Sequence, residues 1–234
     1  MKEVKTGYLV GVILLVVGCF WFADIRSNKH KINKVEVEFS ANGVRFLTVD
    51  IVNKLLIQSQ DSLFFQQKDM VALKEIEWQL LNHPMIKTAE LYTVPQGKLY
   101  VEIDERRPVV RVQGERSFYV DQFGVEMPLS ARHSARVPLY YGKLNKDKKQ
   151  QMVHLLSSLT ADAFIKEELV DLQWSAKGFV LGLRSYPFQV LWGNNDHFSA
   201  KAEKLKRFCA YAENQNEKKY NQIDLSFEKQ VVAR

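Results

Sequence analysis

A chain of 234 residues, 46% apolar and 26% charged, has ordinary globular composition; this excludes a disordered protein and leaves room for one large domain or two small ones. The formal charge of +6 falls to +3 once residues 1–31 are set aside, and the remaining basic residues are interspersed with acids, which argues against a nucleic-acid footprint. Cys19, inside an apolar run, and Cys209, near the C-terminus, give neither a CxxC metal spacing nor a credible intrachain disulfide.

From Gly7 to Ala23, "GYLVGVILLVVGCFWFA" carries no charge. That length sits near the lower edge of the roughly 17–25 residues that span a bilayer, and Trp21 and Phe22 fall where amphipathic rings favour the interface. A cleaved signal peptide is the rival, but cleavage after Ala23 needs a small residue where Trp21 stands. The expectation is a single uncleaved transmembrane helix over 7–23, with a short tail at 1–6 and a stalk at 24–31. Lys2 and Lys5 precede the run while Arg26, Lys29, Lys31 and Lys34 follow it, so local charge leaves the orientation open.

"INKVEVEFS" (Ile32–Ser40) then alternates like a strand. "RFLTVDIVNKLLIQ" shifts to helical spacing, with Thr48 as N-cap and Ile51, Leu55 and Leu56 on one face. A second helix runs over Asp69–Pro84, capped by Asp69, striped by Leu73, Ile76, Leu80 and Leu81, and stopped by His83-Pro84. "IKTAELYTVP" and "KLYVEIDE" are two strands joined by "PQG". The order β-α-α-β-β suits a small sheet with two helices on one face.

"YVEIDERRPVVRV" (Tyr100–Val112) places four charges and a proline between two alternating stretches. A proline removes a ladder hydrogen bond and a charge cluster is costly to bury. Glu105, Arg106, Arg107 and Pro108 are therefore expected to form a domain joint, exposed or paired among themselves, with Pro108 fixing the backbone at the handover. Short strand-like pieces follow, then a helix over Lys146–Leu159 with apolar Met152, Leu155, Leu156 and Leu159. "LVDLQWS", "GFVLGLRS" and "FQVLWG" suggest a meander, and Ser199–Glu213 an amphipathic helix burying Ala202, Leu205, Phe208, Cys209 and Ala212. Ile223–Phe227 alternates again, and "QVVAR" closes the sequence. If Gln230–Arg234 is the last strand of the sheet, one of its edges has no partner within the chain.

The chemistry of catalysis finds little support. None of His30, His83, His133, His154 and His197 lies i, i+4 from another or in an H-E-x-x-H pattern. Nucleophile-elbow, P-loop and dinucleotide fingerprints are absent. "GNNDHFS" (Gly193–Ser199) gathers Asn, Asp, His and Ser, most simply as a loop ending in a helix cap. Glu102, Asp104 and Glu105 adjoin Arg106 and Arg107, which favours a solvated or paired joint over an acid–base site. No cofactor or metal ligand set is expected.

Taken in order, these segments resemble the FtsQ/DivIB family of bacterial cell-division proteins. "VEVEFS" is similar to the first strand of that family's POTRA domain and "LTVDIVNKLL" to the helix after it. The most specific piece is "LKEIEWQLLNHPMIKTAELYTVPQGKLYVEIDERRPVVRV", followed by "FYVDQFGVEMP", "QVLWG" with "KAEKLKRF", and "IDLSF". Val110 stands where the family usually has Ala, and Ser226-Phe227 where it has Arg-Tyr.

The resemblance implies an α+β protein: an N-terminal transmembrane helix, a β-α-α-β-β POTRA domain over 32–105, and a mostly antiparallel β domain with flanking helices over 106–234. It implies a non-catalytic divisome scaffold in the cytoplasmic (inner) membrane, with a cytoplasmic N-terminus and an extracytoplasmic body. The implied partners are FtsB-like and FtsL-like single-span proteins and other divisome components, contacted near the last strand, and the POTRA domain is implicated in recruitment. On that reading Phe227, Gln230, Val231, Val232 and Ala233 form the partner-binding edge. The alternatives are a different POTRA-bearing protein that handles polypeptides, or an anchored cell-wall enzyme using Asp196 and His197 or the joint carboxylates.

Overall fold

The computed structural model describes residues 11–22, 34–40, 45–58, 70–94, 97–194, 196–214, 220–228 and 230–234. The chain divides into two compact units, Met1–Glu105 and Arg106–Arg234.

The N-terminal helix corrects the expectation of a transmembrane span. Among the described residues helix α1 covers 11–22, twelve in all. At about 1.5 Å per residue this is about 18 Å, against a hydrocarbon core of about 30 Å. Among the described residues no helix is long and apolar enough to cross a membrane. The tail at 1–6 and the stalk at 24–31 lie outside the described residues.

The rest of the first unit is a three-stranded sheet with two helices. Strand β1 (Lys34–Phe39) is followed by α2 (Val49–Gln58), α3 (Met70–Leu81), β2 (Ile86–Val94) and β3 (Lys98–Glu105). The sheet order is β1-β3-β2, with β1 parallel and β2 antiparallel to β3. Leu99, Val101 and Ile103 of the central strand are fully buried, and their neighbours in sequence face outward, as period-two alternation requires.

Thr48 caps α2, its Oγ1 accepting from the Ile51 N–H at 3.1 Å. The buried stripe of that helix is Val52 and Leu56, one turn apart, which leaves Ile51 40% exposed. Asp69, expected to cap α3, lies outside the described residues. Helix α3 also serves the sheet edge: Glu77 Oε1 accepts from the Leu91 N–H of β2 at 2.9 Å, using a donor an edge strand would leave open.

The second unit is built on one nine-stranded sheet. In chain order it contains β4 (Pro108–Gln113), β5 (Phe118–Asp121), β6 (Glu126–Met127), β7 (Leu139–Tyr141), α4 (Lys146–Leu159), α5 (Ala163–Glu168), β8 (Leu169–Ser175), β9 (Gly178–Leu183), β10 (Gln189–Gly193), α6 (Phe198–Asn214), β11 (Gln222–Asp224) and β12 (Val232–Ala233). The sheet order is β12-β11-β10-β9-β8-β7-β4-β5-β6. Three of its pairings are parallel (β4 with β7, β7 with β8, β10 with β11), so the sheet is mixed, and helices supply the crossovers before β8 and β11. One face packs against α4 and α6: Met152, Leu155, Leu156 and Leu159 from the first, Ala202, Leu205 and Cys209 from the second, against Tyr140, Phe179 and Trp192 of the sheet. Both helices fall where the periodicity puts them.

Two glycines let the β8–β9 hairpin close on β10. Gly178 has φ +105° and Gly193 φ +74°. A Cβ on Gly178 would stand 2.4 Å from the Gly193 carbonyl oxygen, at the irregularity where β10 shifts register against β9. Gly178→Ala should cost about 1–3 kcal/mol or more, from strained backbone and backbone collision. Gly114→Ala, which meets nothing within 4 Å, should stay within about 1 kcal/mol of the parent. Urea unfolding of the two variants side by side measures the difference; equal midpoints would contradict the packing.

Candidate functional site

The residues of the expected joint are held within the two units, each by its own. Asp104 pairs with Lys87 at 3.0 Å. The Glu105 carboxylate accepts from the N–H of Phe46 (3.0 Å) and of Leu47 (2.6 Å), just ahead of α2. Backbone donors before a helix are a favourable seat for a carboxylate. One residue later Arg106 Nη1 donates to Asp121 Oδ2 at 2.9 Å, and the Asp121 side chain is only 2% exposed. The other oxygen of Asp121 accepts from the Phe123 and Val125 N–H groups at 2.9 and 2.8 Å, closing the turn at Gly124 between β5 and β6. Glu105 and Arg106 thus pair with backbone amides and a distant side chain instead of with each other. The Asp-x-x-Gly stretch signalled the turn; nothing local signalled that Glu105 reaches Phe46 and Leu47, 59 and 58 positions away.

At the other end of the sequence the structure places β12 at one end of the nine-stranded sheet, antiparallel to β11, with Ile223 opposite Ala233 and Asp224 opposite Val232. Arg234 and Gln222 exchange both main-chain bonds: the Arg234 N–H reaches the Gln222 carbonyl at 2.9 Å, and the Gln222 N–H the Arg234 carbonyl at 3.1 Å. Antiparallel pairs alternate, so Ala233, one residue earlier, is a non-hydrogen-bonded position and its N–H and C=O point away from β11. The same alternation turns the main chain of Val231 outward.

The side chains of this segment divide by face. Val231 and Ala233 pack against the core of the unit. Val232 lines a cavity of about 230 Å³ together with Val180, Leu191, Asp224 and Arg234. Gln230 is exposed and Phe227 is 46% exposed. The connection between β11 and β12 is held from two sides: Asp224 Oδ1 accepts from the Ser226 N–H at 2.9 Å, and Lys204 Nζ of α6 donates to the Phe227 carbonyl at 2.6 Å. Of the expected edge residues, then, Phe227, Gln230 and Val232 present side chains outside the core, while Val231 and Ala233 present main chain.

The loop before α6 brings Asp196 to Lys201, whose side chain is 5% exposed. Its ammonium donates to Asp196 Oδ1 and, at 2.9 Å, to the Asn194 carbonyl, and it lies 6.0 Å from the centre of the Trp192 ring. The bond from Lys201 holds the Asp196 carboxyl below its ordinary range. A carboxylate kept ionised in this way suits a structural ion pair better than proton transfer. Among the described residues no group of three His, Cys, Asp or Glu is arranged to hold a metal ion.

Comparison with known families gives two adjacent matches. Residues 31–104 match the family described as "POTRA-like domain", and residues 107–234 match "FtsQ/DivIB, C-terminal related". The second covers more than half of the chain. No curated protein matches.

Asp121 is the test of how the second unit begins. Asp121→Ala removes a buried ion pair and two amide acceptors together, and should cost about 3–5 kcal/mol in urea unfolding. Arg106→Met should cost clearly less, because Asp121 keeps the Phe123 and Val125 amides. Equal losses would mean that the ion pair alone carries the turn.

Proposed function

The chain belongs to the FtsQ/DivIB family, and from that premise we propose that it is a non-catalytic cell-division scaffold that captures partners by adding a strand to β12. The observation that carries the reading is the outward-turned main chain of Val231 and Ala233 at an open sheet end. An edge strand with unpaired N–H and C=O groups is a template for another strand, so a soluble protein either blunts it or uses it. Here the added strand would draw its affinity from those main-chain groups. Its specificity would come from the side chains on either side, Val232 over its cavity on one face and exposed Phe227 at the end of the connection.

The partners that suit this site are single-span division proteins of the FtsB and FtsL kind, whose extended ends can lie along β12. The work is placed on the extracytoplasmic side of the cytoplasmic membrane, where it coordinates septum formation and septal peptidoglycan synthesis. Residues 106–234 form the partner-binding domain and residues 32–105 a POTRA domain that serves recruitment. Ser226 cannot supply the ion pair that an Arg would, so Phe227 and Val232 take a larger share of discrimination.

Ala233→Pro isolates the main-chain contribution. It removes one outward N–H and leaves the Arg234–Gln222 bonds, and proline is tolerated on edge strands. Co-purification with a co-expressed FtsB-like partner should fall about tenfold or more, while the thermal midpoint of the variant stays near that of the parent. Capture at parental levels would remove β12 from the interface.

A further inference from the structure

The first unit carries an outward sheet face whose charges do not balance where they stand. The register aligns Lys34, Lys98 and Val94 in one row across the strands, Glu36, Tyr100 and Tyr92 in the next, and Glu38, Glu102 and Glu90 in the third. The third row sets three like charges side by side, all exposed, with Glu102 flanked on both sides. Like charges directly opposite one another across strands are destabilising, so this row costs the domain stability.

The lysines on the same face do not relieve it. Lys34 and Lys98 both bond Glu36, at 2.9 and 3.0 Å, and with the Tyr100 hydroxyl hold its carboxyl down at about 2. Lys87 is taken by Asp104 at 3.0 Å. Beside the acidic row Tyr92 and Tyr100 stack with ring centres 5.3 Å apart and planes 9° from parallel. Tyr92 is 46% exposed, so the stack gives the face an uncovered aromatic surface in the row next to the glutamates.

We propose that the outward face of the β1–β3–β2 sheet docks a basic helix lying across the strands, with one cationic side chain over each of Glu38, Glu102 and Glu90. The spacing selects the occupant. Adjacent strands lie about 4.7–4.9 Å apart, so the carboxylates repeat at close to the roughly 5.4 Å pitch of an α-helix. Arginine or lysine at i, i+4 and i+7 would therefore meet the row in register, and an extended strand, with same-face residues about 6.6–6.8 Å apart, would not. The tyrosine stack beside the row takes the apolar flank of such a helix or the face of an arginine. A nucleic acid or an acidic partner is repelled by the same row. The inference concerns a different unit from the β12 edge and stands without it.

The test uses the full chain and a fluorescein-labelled, alanine-based helical peptide with arginine at i, i+4 and i+7, beside a peptide of the same composition with its arginines spread around the helix. Fluorescence anisotropy should show the striped peptide binding, more weakly as salt rises, and the scattered one about tenfold more weakly. The combined variant Glu38→Gln, Glu90→Gln, Glu102→Gln should lose the preference for the striped peptide. Its thermal midpoint should equal or exceed the parent's, because repulsion has been removed. Equal binding of both peptides, or a lowered midpoint in the variant, overturns the proposal. So does a midpoint raised by calcium in the parent alone, which would make the row a cation site. Dimerisation of the parent lost in the variant would instead make the occupant a second copy of the chain.

Discussion

Asp121 holds together the beginning of the second unit. Its two carboxylate oxygens are divided between Arg106 at the entrance to β4 and the two amides of the turn that returns the chain into β6. A carboxylate this buried needs donors, so one side chain ties the first strand to the hairpin and its turn. One residue upstream of the arginine, Glu105 closes the other unit onto the amides that lead into α2. Two opposite charges adjacent in sequence would ordinarily neutralise each other in solvent. Here each is drawn into its own unit, and this places the boundary between them at a peptide bond.

The cluster of charges around Pro108 is legible in the sequence, while its contacts are not. A proline among four charges says where a continuous ladder fails, because both features are local. The partners of those charges are set by which loops the folded sheet brings near, and sequence separation hides them. The helices show the same division. Thr48, the Lys146–Leu159 stripe and most of α6 follow from spacing of three and four residues. The single turn of α5 does not, since six residues carry too little periodicity, although Asp162 caps it by accepting from the Ile165 N–H at 3.2 Å. The parallel pairings were likewise invisible: a run such as "FQVLWG" pairs equally well either way until a helix intervenes.

The two ends of the nine-stranded sheet are treated differently. At β6 the strand has only two residues, and Glu126 there is paired with Lys149 of α4 at 2.9 Å. Short length and charge are the usual ways of blunting an edge. β12 is equally short, which limits how much it could pair with strands at random, and Ser226 and Phe227 in the connection that leads to it are held by Asp224 and Lys204. Pinning a loop costs conformational freedom once, during folding; a partner that later adds to a fixed edge does not incur that cost again. Both Val231 and Ala233 anchor the strand to the core with their side chains and leave their main chains outward, so in the proposed reading stability and capture draw on different atoms of the same residues.

The distribution of charge separates structural from exposed roles across the chain. Three buried or half-buried carboxylates have their donors: Asp121 has Arg106 and two amides, Glu105 has two amides, and Asp162 has a helix N-terminus and Lys206 at 3.1 Å. Desolvation makes an unpaired group at such places costly, so pairing there is required by folding and says nothing about partners. On an exposed sheet face water screens each charge, so a row of three like charges lowers stability without preventing folding. The row Glu38, Glu102 and Glu90 runs across the central and both flanking strands, and among the described residues Lys34, Lys98 and Lys87 are taken by Glu36 and Asp104. Its cost is unexplained within the isolated domain, and it is met when a cationic surface lies on that face.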